Sequence, residues 1–145
     1  MFPNSQGTFN IGVTKQIQMT VNTGVKGTLA KLLATEDLVV EHKTCETASF
    51  DVARRVLTLP NWEKATEEVY DLLVAHEVGH ALFTPNRQWD DLPCPKSIIN
   101  VTEDARIEKL MKRKYGGLPK TFYRGYRELD AVSYTHLTLP TKQPV

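Results

Sequence analysis

Residues 74–83 have the sequence VAHEVGHALF, in which His76, Glu77 and His80 form the pattern His-Glu-x-x-His. The apolar spacing around this pattern predicts a helix over residues 62–83. Residues four apart on a helix lie on the same face, so both imidazoles would project side by side and could bind one metal ion. Glu77 lies between them and could act as a general base toward a metal-activated water. These three residues are the first candidates for a functional site.

The predicted helix has an apolar stripe, and both histidines fall in its middle when residues are placed at 100° steps. A single buried imidazole is usually a core residue with its hydrogen bonds satisfied. Two imidazoles four residues apart, with a glutamate between them, favour a shared metal ion, because unpaired polar groups in a core are unfavourable. The stripe consists of Trp62, Ala65, Val69, Leu72, Leu73 and Phe83.

A second helix is predicted over residues 96–112, after a loop over residues 84–95 that is rich in Pro, Asn and Asp. Glu103 lies at the centre of the apolar stripe of this helix, where a carboxylate is unfavourable unless it is paired or bound to a metal. We therefore predict that Glu103 is the third metal ligand, with Asp104 as the fallback. The alternative is a structural ion pair, for instance between Glu103 and Arg106.

Three short runs with β-branched or alternating apolar residues precede the His-Glu-x-x-His helix and predict strands at residues 38–41, 48–52 and 55–59. The short turn between the last two favours a hairpin. A short helix is predicted over residues 28–34, and residues 118–130 are predicted to form a turn that leads into another helix. The predicted fold class is therefore α+β, with a small antiparallel sheet packed on the histidine-bearing helix and a ligand-bearing helix after it. An edge strand could hold an extended peptide, or the sheet could only support the helix.

The composition is that of one soluble globular domain, with 145 residues of which 41% are hydrophobic and 24% charged. The formal net charge of +1 gives no reason to expect a nucleic-acid partner, and we interpret the basic run Lys109–Lys114 as a solvated helix end. No stretch approaches the ~18 apolar residues of a membrane span, and the first residues lack the features of a signal peptide. We expect a cytoplasmic protein in which Cys45 and Cys94 are reduced.

We divide the chain into three parts. Residues 1–35 are an N-terminal segment that contains the short helix, and alternating apolar residues at 9–21 predict a half-exposed strand there. Residues 36–130 are the domain that carries the candidate metal ligands. Residues 131–145 depart from the preceding pattern. Their sequence VSYTHLTLPT resembles the conceptual translation of a transposon-library sequencing adapter, so we expect a non-native tail on a truncated domain.

The His-Glu-x-x-His pattern, followed by Glu103 on the next helix, resembles that of the gluzincin zinc metallopeptidases. The segment Val101–Glu108 has the sequence VTEDARIE. It is similar to metallopeptidases encoded by tailed phages. It is also similar to cobalt-chelatase-subunit-like proteins, in which such a region precedes a von Willebrand factor A domain. The resemblance covers about residues 36–130.

This resemblance implies a zincin-like fold in which zinc is bound by His76, His80 and Glu103, with Glu77 as the catalytic base. The chain departs from the thermolysin-like branch of the family, which has the pattern Glu-x-x-x-Asp, because position 107 is Ile.

The carboxylate that supports a ligand histidine must therefore come from another residue. Asp104 and Glu108 are the candidates for this supporting position.

We predict a zinc-dependent metallopeptidase that hydrolyses peptide or protein substrates. Glu77 would take a proton from the zinc-activated water and pass it to the leaving amine. The alternative is a non-catalytic module in which zinc stabilises the fold for assembly or for an ATPase partner, with further parts such as a von Willebrand factor A domain in a longer chain. A third reading is that both histidines are core residues and no metal binds.

Overall fold

The computed structural model describes residues 21–62 and 65–133. Within these ranges the chain forms one helix, three strands and then three helices. The predicted α+β class is confirmed at this level, while most of the strand predicted at residues 9–21 and most of the tail after 130 lie outside the described residues. The elements are α1 (Thr23–Ala34), β1 (Val39–Lys43), β2 (Ser49–Asp51), β3 (Val56–Pro60), α2 (Glu67–Phe83), α3 (Lys96–Lys114) and α4 (Leu118–Ser133).

The three strands form one mixed sheet with β3 in the middle. β2 and β3 pair antiparallel, with Phe50 opposite Leu57, which confirms the predicted hairpin. β1 pairs parallel with β3, with Val40 opposite Leu57, so the prediction of a purely antiparallel sheet was wrong. After the turn over residues 44–48, β2 does not pair with β1 but lies at the opposite edge of the sheet. The central strand is β3, which is buried at four of its five residues.

Helix α2 begins at Glu67, later than the predicted start at residue 62. The side chain of Thr66 accepts a hydrogen bond from the backbone N–H of Val69 at 3.3 Å and so caps the helix. Trp62 lies before the helix, where its indole N–H donates to the carbonyl of Cys45. The helix starts where a side chain is available to satisfy its first free N–H groups.

Helix α1 is longer than predicted and begins at Thr23, because the side chain of Asn22 accepts hydrogen bonds from the backbone N–H groups of Gly24 and Val25. Helix α3 begins as predicted and continues to Lys114, and helix α4 follows a turn at residues 116–117. Both cysteines are free. Among the described helices, none has the length and apolar character that crossing a membrane requires.

Helix α2 is the centre of the molecule, and every residue from Leu72 to Ala81 is buried. Helices α1, α3 and α4 and the sheet all pack against it. The predicted stripe residues Val69, Leu72 and Leu73 are buried, and from Leu72 onward the burial extends to all sides of the helix. Its second half is apolar on all sides apart from the site residues, and a helix of that composition is buried all round.

Two glycines allow the neighbouring helices to approach α2 closely. A Cβ at Gly125 of α4 would lie 2.4 Å from the Cβ of Leu72 and 2.9 Å from the carbonyl oxygen of Glu68. A Cβ at Gly79 of α2 would lie 2.7 Å from the Cδ1 of Ile107 on α3. Gly79 thus allows α3 to pack closely on the histidine-bearing half of α2, and Gly125 allows α4 to pack closely on its first half.

Candidate metal centre

His76 and His80 on α2 and Asp104 on α3 each contribute one potential ligand atom to a compact group, and these atoms all lie within 4.8 Å of one another. The Nε2 atom of His80 lies 3.0 Å from Oδ1 of Asp104, and the Nε2 atom of His76 lies 3.4 Å from it. Ligand atoms of a tetrahedral zinc ion lie ~3.3 Å apart when each is about 2.0–2.1 Å from the metal. The two distances to Asp104 are therefore close to the spacing expected around a single ion bound between the two helices.

His76 is oriented by a carboxylate on its far side. Its Nδ1–H donates to Oε1 of Glu108 at 2.9 Å. The same oxygen accepts a hydrogen bond from the hydroxyl of Tyr126 on α4. Burial and the neighbouring Glu108 raise the pKa of Tyr126 above its usual value, so the phenol keeps its proton and remains a donor. The ring of His76 is thereby held with Nε2 toward Asp104, which is the usual arrangement of a metal-binding histidine and its supporting carboxylate.

His80 is oriented by a hydroxyl. The hydroxyl of Thr84 donates to Oε1 of Glu103 at 2.7 Å, so it accepts from Nδ1–H of His80 at 2.8 Å. Glu103 is held in turn by two hydrogen bonds from Arg106, at 2.8 and 2.6 Å. Arg106 also donates to the carbonyl of Phe83 at 2.6 Å, which ties the end of α2 to α3. The Nε2 atom of His80 is again the nitrogen left facing the ligand group.

Glu103, the predicted third ligand, lies outside the ligand group. It is buried, with 6% of its surface exposed, as its central position on the stripe predicted. Its partners are Arg106 and Thr84, so the ion pair that we considered as the alternative is the arrangement found. Burial would raise the pKa of Glu103, but the hydrogen bonds from Arg106 and Thr84 outweigh it and lower the pKa. The carboxylate is therefore ionised and fully engaged as a support for His80.

The pKa values of His76 and Asp104 are shifted in opposite directions. Burial opposes the charged form of His76, but hydrogen bonds to Asp104 and Glu108 outweigh it and raise its pKa to about 10. Burial likewise opposes the ionised form of Asp104, and hydrogen bonds from both histidines outweigh it and lower its pKa to about 2. In the metal-free protein, a proton on His76 thus balances the negative charge of the neighbouring carboxylates. A metal ion bound at the same place could supply that positive charge instead.

Glu77, the predicted catalytic base, is 3% exposed and lies next to His76 on α2. Its negative charge is one of the causes that raise the pKa of His76. The ligand residues are also largely enclosed, since His80 is 1% exposed and the side chain of Asp104 16%. A carboxylate with so little water around it interacts strongly with any charge that develops beside it.

The sequence-based reasoning missed Thr84 and Tyr126. A signal for Thr84 was present, because it lies four residues after His80 and so continues the same helix face by one turn. No comparable signal exists for Tyr126, because its contact with Glu108 depends on how α3 and α4 pack. Among the predicted residues, the structure brings together His76, His80 and Asp104, and it places Glu108 behind His76.

No protein-family model matches the chain, and neither a curated protein nor a solved structure was found to match it. The resemblance to gluzincins therefore stays a prediction made from the motif.

Proposed function

We propose that this chain is a zinc metallopeptidase domain in which His76, His80 and Asp104 hold the metal and Glu77 is the general base. The observation that carries the proposal is the convergence of two Nε2 atoms and one carboxylate oxygen from two helices. Asp104 replaces Glu103 as the third ligand of the hypothesis, because Glu103 is committed to Arg106 and Thr84. Peptide or protein substrates remain the proposed substrate class.

The donor set suits zinc. Two imidazole nitrogens and one carboxylate oxygen are ligands that zinc takes in catalytic sites, where a fourth position stays open. When bound, zinc supplies a Lewis acid that lowers the pKa of a water molecule to about 7 and polarises a carbonyl. The hydrogen bonds of Glu108 and Thr84 to the histidine Nδ1–H groups are the supports that such ligands usually have.

The protein residues have distinct parts in the proposed reaction. Glu77 accepts a proton from the attacking water and delivers it to the leaving amine; its carboxylate lies next to His76 on α2 and is shielded from solvent. Glu108 and Thr84 hold the two imidazole rings so that their Nε2 atoms converge. Arg106 keeps Glu103 ionised, and Glu103 in turn fixes the hydroxyl of Thr84.

Metal content tests the ligand set. We expect the chain, loaded with zinc and passed over a desalting column, to retain about one zinc per molecule by atomic emission. Asp104→Asn should lose most of this zinc. Glu103→Gln is the matched control, since it also removes one charge from α3, and it should retain the metal. The reverse pattern, with zinc kept by Asp104→Asn and lost by Glu103→Gln, would return Glu103 to the ligand set.

Activity tests the catalytic role. The zinc-loaded chain should hydrolyse a mixture of unstructured fluorogenic peptides. Glu77→Gln should keep its zinc and lose at least about 10²-fold in rate, the usual contribution of a general base. Undiminished hydrolysis by this variant would eliminate Glu77 as the base.

A non-catalytic zinc-stabilised module is the second candidate, and the burial of the site favours it. His76 and His80 are only 7% and 1% exposed, and a zinc ion bound by them and Asp104 would join α2 to α3. Zinc retention at about one equivalent, together with no hydrolysis of any peptide by the wild-type chain, is the outcome that selects this candidate.

A further inference from the structure

One segment of the molecule concentrates positive charge. Between residues 109 and 127 there are seven Lys and Arg residues and no Asp or Glu. All seven are exposed, at the end of α3 and along the first turns of α4. Since the whole chain has 18 Lys and Arg against 17 Asp and Glu, its remaining residues carry an acidic excess. We call this set the cationic surface; it consists of Lys109, Lys112, Arg113, Lys114, Lys120, Arg124 and Arg127.

The charges of the cationic surface are available to a partner. Among the residues that the structure describes, none of the seven forms an ion pair. Three other surface cations differ in this respect, since Lys31, Lys43 and Lys96 are each paired with a carboxylate. Seven like charges without counter-charges repel one another, and an anionic partner would relieve that repulsion.

Aromatic side chains hold several of these cations in place. Lys112 lies over the ring of Phe122 at 5.1 Å, and Arg127 lies over the ring of Tyr123 at 5.9 Å. Lys114 similarly lies 5.6 Å from the ring centre of Tyr115. Phe122 is buried and Tyr115 half-buried, so these two rings offer little open face for stacking nucleic-acid bases, which is the usual role of aromatic residues in single-strand binding sites. The arrangement therefore favours a partner recognised by charge.

The cationic surface reaches the candidate metal centre along α4. Lys120, Arg124 and Arg127 are spaced four and three residues apart and so form one stripe on this helix. Tyr123 lies beside the stripe and is 67% exposed. Tyr126, one turn further on, donates its hydroxyl to Glu108, which holds His76.

We propose that the cationic surface binds an acidic stretch of polypeptide, a segment of the substrate in which Asp or Glu recurs at alternate positions. The proposal rests on the proposed peptidase function, because that function makes an extended polypeptide the molecule that lies across the metal centre. The geometry suits such a segment. Successive turns of α4 present a cation about every 5.4 Å. Alternate side chains of an extended peptide lie about 6.6 Å apart on one face.

Binding of a labelled peptide tests the proposal. The probe is a fluorescent peptide of about twelve residues with Glu at alternate positions, measured by fluorescence anisotropy at low salt, where the Debye length is about 10 Å or more. We expect it to bind the full chain, and the same peptide with Gln in place of Glu to bind at least about tenfold more weakly. Equal binding of the two peptides would overturn the proposal.

Two charge-reversal variants locate the binding. The first carries Lys120→Glu, Arg124→Glu and Arg127→Glu, and the control carries Lys43→Glu, Arg54→Glu and Lys96→Glu, so both change the net charge by the same amount. The first should weaken binding of the Glu peptide by about tenfold or more, and the control by no more than about twofold. Equal weakening in the two variants would mean that net charge alone attracts the peptide, and would overturn the proposal. Circular dichroism establishes that both variants keep the helical fold.

The outcome is separable from that of the proposed function. Peptide binding should be the same in the zinc-loaded chain, in the chain treated with chelator and in Glu77→Gln, because none of these changes removes a residue of the cationic surface. If hydrolysis is absent but binding behaves as expected, the cationic surface stands and the peptidase proposal fails. If hydrolysis occurs without preference for Glu over Gln peptides, the cationic surface proposal fails alone. If single-stranded DNA of matched length binds more tightly than the Glu peptide, the cationic surface is a nucleic-acid site and the proposal of an acidic polypeptide is overturned.

Discussion

Thr84 connects the two helices of the candidate metal centre through a single hydroxyl, which accepts from His80 and donates to Glu103. We expect Thr84→Ala to lower zinc affinity about 10- to 100-fold, the usual effect of losing a hydrogen-bond partner of a metal-binding histidine. Thr84→Ser keeps the hydroxyl and should restore most of the affinity. Competition with a chromophoric chelator measures both variants. An affinity that is the same for Ala and Ser at this position would show that the hydroxyl does not orient His80.

The pH dependence of the metal-free protein follows from two opposite pKa shifts. The pKa of His76 is raised from 6.5 to about 10, so its contribution to stability is complete below pH 6.5 and is lost as the pH rises through about 10. The pKa of Asp104 is lowered from 3.8 to about 2, so its contribution is present above pH 3.8 and is lost as the pH falls through about 2.

We therefore expect urea unfolding of the chelator-treated chain to give a free energy of unfolding that declines between pH 6.5 and about pH 10. Asp104→Asn removes a hydrogen bond that stabilises protonated His76, so this decline should be smaller in the variant. A steeper decline in Asp104→Asn would contradict the assigned cause of the shift.

At the level of single residues, the sequence was sufficient to place the two histidines side by side, but not to decide whether Glu103 or Asp104 lies beside them. Both lie on the inner side of α3, one residue apart, and differ by 100° around the helix. The apolar spacing of α3 correctly predicted that Glu103 faces the core. The ligand atoms of the histidines, however, lie beside Asp104, on the flank of α3. That choice depends on how α3 is rotated against α2, which apolar spacing within one helix does not encode.

At the level of elements, the predictions were best where residues close in sequence determine where an element begins or which strands pair. Helix α3 began where the loop of Pro and Asp residues ended, and the hairpin of β2 and β3 formed across its short turn. The start of α2 was missed because Thr66 caps the helix within a longer run of compatible residues. The parallel pairing of β1 with β3 was missed because strand order is set by contacts between distant segments.

Gly125 provides a test of how α4 packs on α2. We expect Gly125→Ala to lower the free energy of unfolding by about 1–3 kcal/mol or more, because the added Cβ would overlap Leu72 and the backbone of Glu68. Gly116→Ala is the matched control, since nothing lies within 4 Å of a Cβ at that position. Urea unfolding measures both variants, and a stability of Gly125→Ala equal to that of the control would contradict the close contact between the helices.

At the level of the whole molecule, metal binding and folding should be coupled, because the three candidate ligands come from two helices that pack only in the folded state. We expect zinc at about 100 times its dissociation constant to stabilise the chain by about 2.7 kcal/mol, and chelator to reverse this. His80→Ala should melt at the same temperature with zinc and with chelator. Scanning calorimetry measures the shift, and an unchanged melting temperature in the wild-type chain would exclude binding at this site.

The enclosure of α2 by the other helices and by the sheet also has a kinetic consequence. Backbone amides in the middle of a fully covered helix exchange with deuterium only when the whole domain opens, whereas those near the chain ends exchange through local fraying. The segment from Leu72 to Ala81 should therefore be the last part of the molecule to take up deuterium. Both histidines lie within it, so an ion bound to them would leave only as fast as the Asp104 side of the site opens or the protein unfolds.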